Sequence, residues 1–256
     1  MRYLYIPVFL LITLFSSCGS KRNLVYFSDL SDSSEIVTKV INNVNPVIQQ
    51  NDILDISVNT LSAESNVLFI ANPGRQGASN SYLEKDGYKV NQDGMINFPV
   101  VGFVKLAGLN LEEAQKSLTK EVNKYVKDPV VNVKYLNFRI TVIGEVNRPE
   151  TFLITDERIN LLEALGRAGD MTPYGKRENV LVIREADGVR NMVRLNLNKK
   201  SILNSPYFYL KQNDVIYVEA EKTKEKIYSN SNRLMPVWVS AISAFTVLLT
   251  AFLYNN

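Results

Sequence analysis

Along most of the chain apolar and polar residues alternate in short runs, and in two places the alternation gives way to a helical spacing. Ile53, Leu54, Ile56 and Val58 open the pattern and predict a strand beginning near Asp52. The Gly-, Asn- and Ser-rich stretch 72–81 reads as a loop. Tyr88-Lys-Val90, Asp93-Gly94 and Met95-Ile-Asn-Phe98 then predict a hairpin with Asp-Gly at its turn. Residues 101–104 predict another short strand around Gly102. At Asn110 the period changes: Leu111, Ala114, Leu118, Val122 and Tyr125 share one face of a helix of about four turns, with Asn110 as N-cap and Glu113 returning to it. Asp128-Pro129 predicts its end. Val131, Val133 and Tyr135, alternating with Asn132 and Lys134, predict a half-buried strand.

A second unit starts with Phe138, Ile140 and Val142 and echoes the first. Val101-Gly-Phe-Val104 before Leu109-Asn-Leu-Glu-Glu-Ala114 is answered by Ile143-Gly-Glu-Val146 before Ile159-Asn-Leu-Leu-Glu-Ala164. Asn160 and Glu163 repeat the capping pair, and Gly169 supplies a C-terminal stop. Residues 180–184 and 193–197 predict strands flanking an Asp187-Gly188 turn, and Val215-Ile-Tyr-Val218 a last one. The fold class is therefore α+β, two small modules each with a helix laid on a sheet, over residues 46–136 and 137–220. Capping boxes are common enough that chance similarity of two strand-to-helix transitions stands as the simpler alternative.

The two ends have a different texture. Arg2, an apolar run from Leu4 to Phe15 and small residues before Cys18 lay out a secretory signal peptide, residues 1–17. Cys18 is the single cysteine and sits where cleavage falls, preceded by Leu14-Phe-Ser-Ser17. This is similar to a bacterial lipoprotein box, although Phe15 occupies the position where Leu is usual. Lipidation of Cys18 is the expectation; an ordinary signal peptide with a free thiol, or a short membrane helix, are the plainer readings. Residues 18–45 are polar with little periodicity and read as an extended leader.

At the other end, after a linker over 221–235, residues 236–254 carry no charge and predict a transmembrane helix, about 27 Å long from Val237 to Tyr254, with Trp238 and Tyr254 near its two ends. A buried core helix is the alternative. On a helical wheel Ser240, Ser243, Thr246 and Thr250 fall within roughly a third of the circumference, opposite Trp238, Ile242, Phe245, Leu248, Leu249, Phe252 and Leu253. These four hydroxyls are the candidate pore-lining residues; close helix packing would also explain them.

Composition narrows the chemistry. The chain has 29 basic and 26 acidic residues, a net charge of +3 spread along its length, which does not argue for nucleic acid. It has no histidine. With Cys18 lipidated, neither a Ser-His nor a Cys-His mechanism is available. Neither Glu112 with Glu113 nor Asp52 with Asp55 has a spacing that supports a glycosidase pair. No phosphate-binding glycine loop occurs. The expectations are no enzyme, no cofactor and no metal.

Three blocks carry a family resemblance. They are Gln50-Asn-Asp-Ile-Leu-Asp-Ile-Ser-Val58, with Asn51 where a Gly is more usual; Tyr88-Lys-Val-Asn-Gln-Asp-Gly94 through Pro99, Gly102, Ala107-Gly108, Tyr125, Asp128-Pro129 and Val131-Asn-Val133; and Val142-Ile-Gly-Glu-Val146, Pro149, Leu161 to Ala168-Gly169-Asp170 and Val180-Leu-Val-Ile-Arg184. Together they resemble the Wza-like polysaccharide export proteins of Gram-negative bacteria, with an export domain at 46–136 and one SLBB β-grasp module at 137–220. Asp170 replaces a glycine usual in that family, a departure expected to affect only the local turn. The resemblance implies an outer-membrane lipoprotein whose homo-oligomeric ring exports capsular polysaccharide or exopolysaccharide. It also implies an inner-membrane partner of the polysaccharide co-polymerase or tyrosine-kinase type. A periplasmic lipoprotein that binds or tethers glycan without forming a pore is the rival reading, and an inner-membrane accessory protein a further one.

Overall fold

The computed structural model describes residues 23–31, 35–37, 39–40, 45–61, 69, 87–186, 188–222, 224 and 230–254. Its body is mixed α/β, in two sheet-and-helix modules with separate apolar cores.

In the first module, β1 (Ile53–Asn59) lies between β2 (Tyr88–Lys89) and β5 (Val130–Tyr135) in an antiparallel sheet. The strict alternation of β1 puts Leu54, Ile56 and Val58 inward, where they are at most 6% exposed. β3 (Met95–Phe98) and β4 (Gly102–Lys105) form a separate two-stranded hairpin. Helix α1 (Leu111–Val122) buries Leu111, Ala114, Leu118 and Val122. Its Asn110 cap is reciprocal: the Glu113 N–H donates to Asn110 Oδ1, and the Asn110 N–H donates to the Glu113 carboxylate, both at 2.9 Å.

Two expectations need correction here. Asp93-Gly94 does make a tight turn, with Gly94 at φ 77° and its N–H donating to the Asn91 carbonyl. The strands on either side of it nevertheless enter different pairings, because Tyr88 and Lys89 match Leu54 and Ile53 of β1. Tyr125 is not on the helical face. The helix stops at Val122 with Asn123 as its cap, and the Lys124 and Tyr125 N–H groups reach carbonyls only three residues back, which turns Tyr125 outward to 53% exposure.

The second module is a five-stranded sheet in the order β7-β6-β10-β8-β9: β6 (Arg139–Gly144), β7 (Glu150–Leu153), β8 (Gly175–Ala186), β9 (Val189–Leu195) and β10 (Val215–Ala220). Only β6 and β10 run parallel. Helix α2 (Leu161–Arg167) follows Asn160, whose capping box with Glu163 repeats the first. Gly144 is at φ 94°, and a Cβ there would lie 2.1 Å from the Val218 carbonyl oxygen, so the β6–β10 contact requires glycine. β7, after Pro149, is not among the strands that the sequence pattern predicts. Asp187 lies outside the described residues.

The modules meet through paired amides. The Leu136 N–H donates to the Ile53 carbonyl, the Ile53 N–H to Asn137 Oδ1, and Gln212 Nε2 to the Asn137 carbonyl. Tyr135 packs against both cores, and its buried ring meets Phe138 edge-on at 5.7 Å.

Helix α3 runs from Asn230 to Tyr254, starting ahead of Pro236, which lies inside it and withdraws one backbone donor. Among the described residues no helix is long and apolar enough to cross a membrane, so the transmembrane expectation is not supported.

Candidate functional site

The C-terminal helix is the feature the body does not absorb. Val237, Trp238, Val239, Ile242, Phe245, Val247, Leu248, Leu249 and Phe252 are each between 49% and 69% exposed. Covering one such side chain contributes roughly 1.5–3 kcal/mol, so a row of them demands a non-aqueous surrounding or a partner. The four hydroxyls bond back to their own helix: Ser240 to the Val237 carbonyl at 2.8 Å, Ser243 to Val239 at 2.9 Å, Thr246 to Ile242 at 2.7 Å and Thr250 to Val247 at 2.9 Å. Their polarity is thus satisfied without water, while their outer lone pairs stay free for a neighbour.

Two segments distant in sequence, residues 23–31 and residues 221–224, are fastened to one edge of the second module. Val146 and Met171 form a bridge there. Beside it Glu145, 7% exposed, accepts from the Thr172 hydroxyl at 2.6 Å and from Lys224 Nζ at 2.7 and 2.9 Å. Burial alone pushes the Glu145 pKa up, but the Thr172 and Lys224 bonds outweigh it and hold the carboxyl below its ordinary range. The Glu221 N–H donates to the Tyr174 carbonyl, so residues 221 and 224 both lie against this edge.

From the other terminus, residues 23–31 reach the same place, and the expectation of an extended leader fails for them. Residues 26–29 form a turn, the Phe27 N–H donates to the Leu197 carbonyl at 3.0 Å, and the Tyr26 hydroxyl donates to Asp170. Asp170, at φ 65°, also takes the Met171 N–H at 2.6 Å. Its replacement of glycine therefore acts well beyond the local turn, because its carboxylate anchors the N-terminal strap. Burial, then the bond to Asp170, raises the Tyr26 pKa.

A cleft of about 960 Å³ opens between the modules, lined by residues 47–51 and 107–108 on one side and by Glu185, Gly188, Arg190 and Lys211 on the other. Asp52, 2% exposed and not part of that lining, accepts the Gln49 N–H at 2.7 Å, and burial pushes its pKa up to about 6. No group of three or more carboxylate, thiol or imidazole side chains able to hold a metal occurs among the described residues.

Of the residues singled out in the sequence, Ser240, Ser243, Thr246 and Thr250 lie on α3, and Cys18 lies outside the described residues. Tyr26, Glu145, Asp170, Arg177 and Lys224 were not anticipated as contact residues. The only signal was local: two aromatics, Tyr26 and Phe27, in a leader otherwise rich in serine and charge.

Comparison with known proteins agrees with this division of the chain. Residues 42–136 match the family described as polysaccharide biosynthesis/export protein, and residues 139–218 match the SLBB domain. The EPS I polysaccharide export outer membrane protein EpsA of Ralstonia solanacearum is 42% identical over 86 residues, 32% of this chain and 23% of that protein. The protein of the same name from Ralstonia nicotianae is 36% identical over 102 residues, 38% of this chain and 27% of that protein. The chain's aligned part thus spans about a quarter of the length of these curated relatives.

Proposed function

As the chain belongs to the polysaccharide biosynthesis/export family and carries an SLBB domain behind its export domain, we propose that it forms an oligomeric exit channel for a capsular polysaccharide or exopolysaccharide at the outer membrane. The observation that carries this reading is α3, a helix with every described apolar side chain open to solvent, attached to a body whose own cores are closed.

In this proposal a lipid on Cys18 and the α3 helices of several copies hold one face of a ring at the membrane. The uncharged stretch 236–254 is about 28 Å long, which suits the thin outer membrane, and neighbouring helices of a ring cover one another's flanks. Trp238, Phe245 and Leu249 then face lipid. The Ser240, Ser243, Thr246 and Thr250 stripe lines a lumen whose self-bonded hydroxyls bind a hydrated glycan too weakly to stall it. The fastening of residues 26–29 and Lys224 to one edge of the SLBB module supports an orientation with that edge towards the membrane and the cleft between modules towards the periplasm. The chain acts as a conduit rather than an enzyme. Its lack of a phosphate loop leaves the energy for export to an inner-membrane partner.

The test is a chain ending before Leu234, examined in cells. The expected result is a folded, secreted protein with no surface polysaccharide. Cysteines at Ser243 and Thr250 should react with water-soluble thiol reagents in assembled protein, and cysteines at Phe245 and Leu249 should not. All four side chains belong to exposed positions of the single chain, so any contrast must come from assembly. Normal export after truncation, or equal labelling at the four positions, would favour the tethering lipoprotein instead.

A further inference from the structure

The junction beneath the N-terminal strap has polar groups that do not balance. Arg177 is 7% exposed, with its guanidinium carbon 5.3 Å from the centre of the Tyr26 ring. Its Nε and Nη1 have no hydrogen-bond partner among the described residues, and neither does Asn198 Oδ1 beside the strap. Asn198 belongs to this junction, since the Ser28 hydroxyl donates to its carbonyl at 3.3 Å and the preceding Leu197 N–H donates to the Arg177 carbonyl at 2.8 Å. A buried polar atom left unpaired costs enough that three in one junction call for an explanation.

The Tyr26 hydroxyl supplies one. It donates to Asp170 while its ring lies against the Arg177 guanidinium, so one side chain meets a carboxylate and a guanidinium at once, as a bound sugar ring can. The phenol ring lies flat-sided under a cation and offers nothing further to the remaining donors. From this geometry we infer that Tyr26 plugs, in cis, a saccharide subsite on the SLBB module. Asp170 and Arg177 form its floor, and the spare Nε–H, Nη1–H and Asn198 Oδ1 await hydroxyls and a ring oxygen that tyrosine lacks. The plug is weakly tethered. Besides Tyr26 it is held by the Phe27 bond, the Ser28 bond and the Lys200 N–H donating to Asp29 at 2.8 Å, the last two at exposed positions. A ligand therefore meets a site that is competent only when the strap is off, and its apparent affinity is lowered by that fraction. The inference rests on the reading of the cargo as polysaccharide and deepens it by naming where the SLBB module grips a sugar ring.

The experiment measures binding of two soluble probes, neutral cellohexaose and the acidic hyaluronan hexasaccharide, to the full chain in detergent by calorimetry. Tyr26→Ala is expected to bind at least one of them about tenfold or more tightly than the unaltered chain. A synthetic peptide of residues 23–31 added in trans should remove that gain, and so should Arg177→Lys in the Tyr26→Ala background. If Tyr26→Ala does not fold, Tyr26→Phe keeps the ring over Arg177, frees Asp170, and should give a smaller gain. Unchanged affinity for both sugars in the folded variant overturns the plug. A gain that survives Arg177→Lys or the peptide also overturns it, because the sugar would then sit elsewhere. Export by the α3 truncation is scored separately in cells: loss of export with no sugar binding leaves the channel standing without the plug, and sugar binding with normal export does the reverse.

Discussion

Replacing Arg184 by methionine tests how the second module is held closed. Arg184 and Asp214 have side chains 8% and 0% exposed, with Nη2 2.6 Å from Oδ2 and Nε 3.0 Å from Oδ1. The same guanidinium donates to the carbonyls of Pro206 and Tyr209 at 3.3 and 3.0 Å and stands 4.7 Å over the Tyr207 ring. It therefore ties the 206–214 loop to β8, and the Lys211 N–H on Asp214 completes the knot. Arg184→Met fills a similar volume but strands a buried carboxylate and two carbonyls. Breaking one partner of such a pair costs about 3–5 kcal/mol. For a domain of this size each kcal/mol is worth about 4–8 °C, so the unfolding step of the SLBB module should fall by about 12 °C or more. Adding Asp214→Asn removes the stranded charge and keeps an acceptor for Lys211, so the double variant should recover part of the loss. Scanning calorimetry of the full chain with each single and the double variant measures this. A single-variant loss under about 1 kcal/mol, or strict additivity in the double, would refute the argument.

Asp52 makes the first module sensitive to pH. Its carboxyl is pushed up to about 6 from 3.8, so the folded state holds the proton more tightly than the unfolded chain. Stability should then decline as pH rises from about 4 through 6, by at most roughly 3 kcal/mol, and Asp52→Asn should flatten that slope in urea titrations; an unchanged slope would show that another group sets it. Asn110→Ala and Asn160→Ala should each cost about 1 kcal/mol, because each removes one half of a reciprocal capping box, and thermal melts with no change from either would contradict the capping role. Gly144→Ala should destabilise more than either cap variant, since its Cβ meets backbone rather than a movable side chain, and near-native chemical denaturation of this variant would show that β6 can shift away from β10.

What the sequence by itself determined is the local grammar of the two modules. Alternation placed Leu54, Ile56 and Val58 on the buried side of a strand, and the Asn-Leu-x-Glu-Ala spacing located both helix starts to the residue. These features depend on neighbours a few positions apart, so the pattern along the chain contains their physics. Only the tertiary structure decided that Tyr88 pairs with β1 instead of turning back on β3, that Gly144 must be bare because Val218 lies against it, and that the strap is folded down instead of extended. Tyr26 meets Asp170 across 144 positions. No periodicity reports such a contact, because its stability comes from a burial and hydrogen-bond partnership that exists only after the second module has closed.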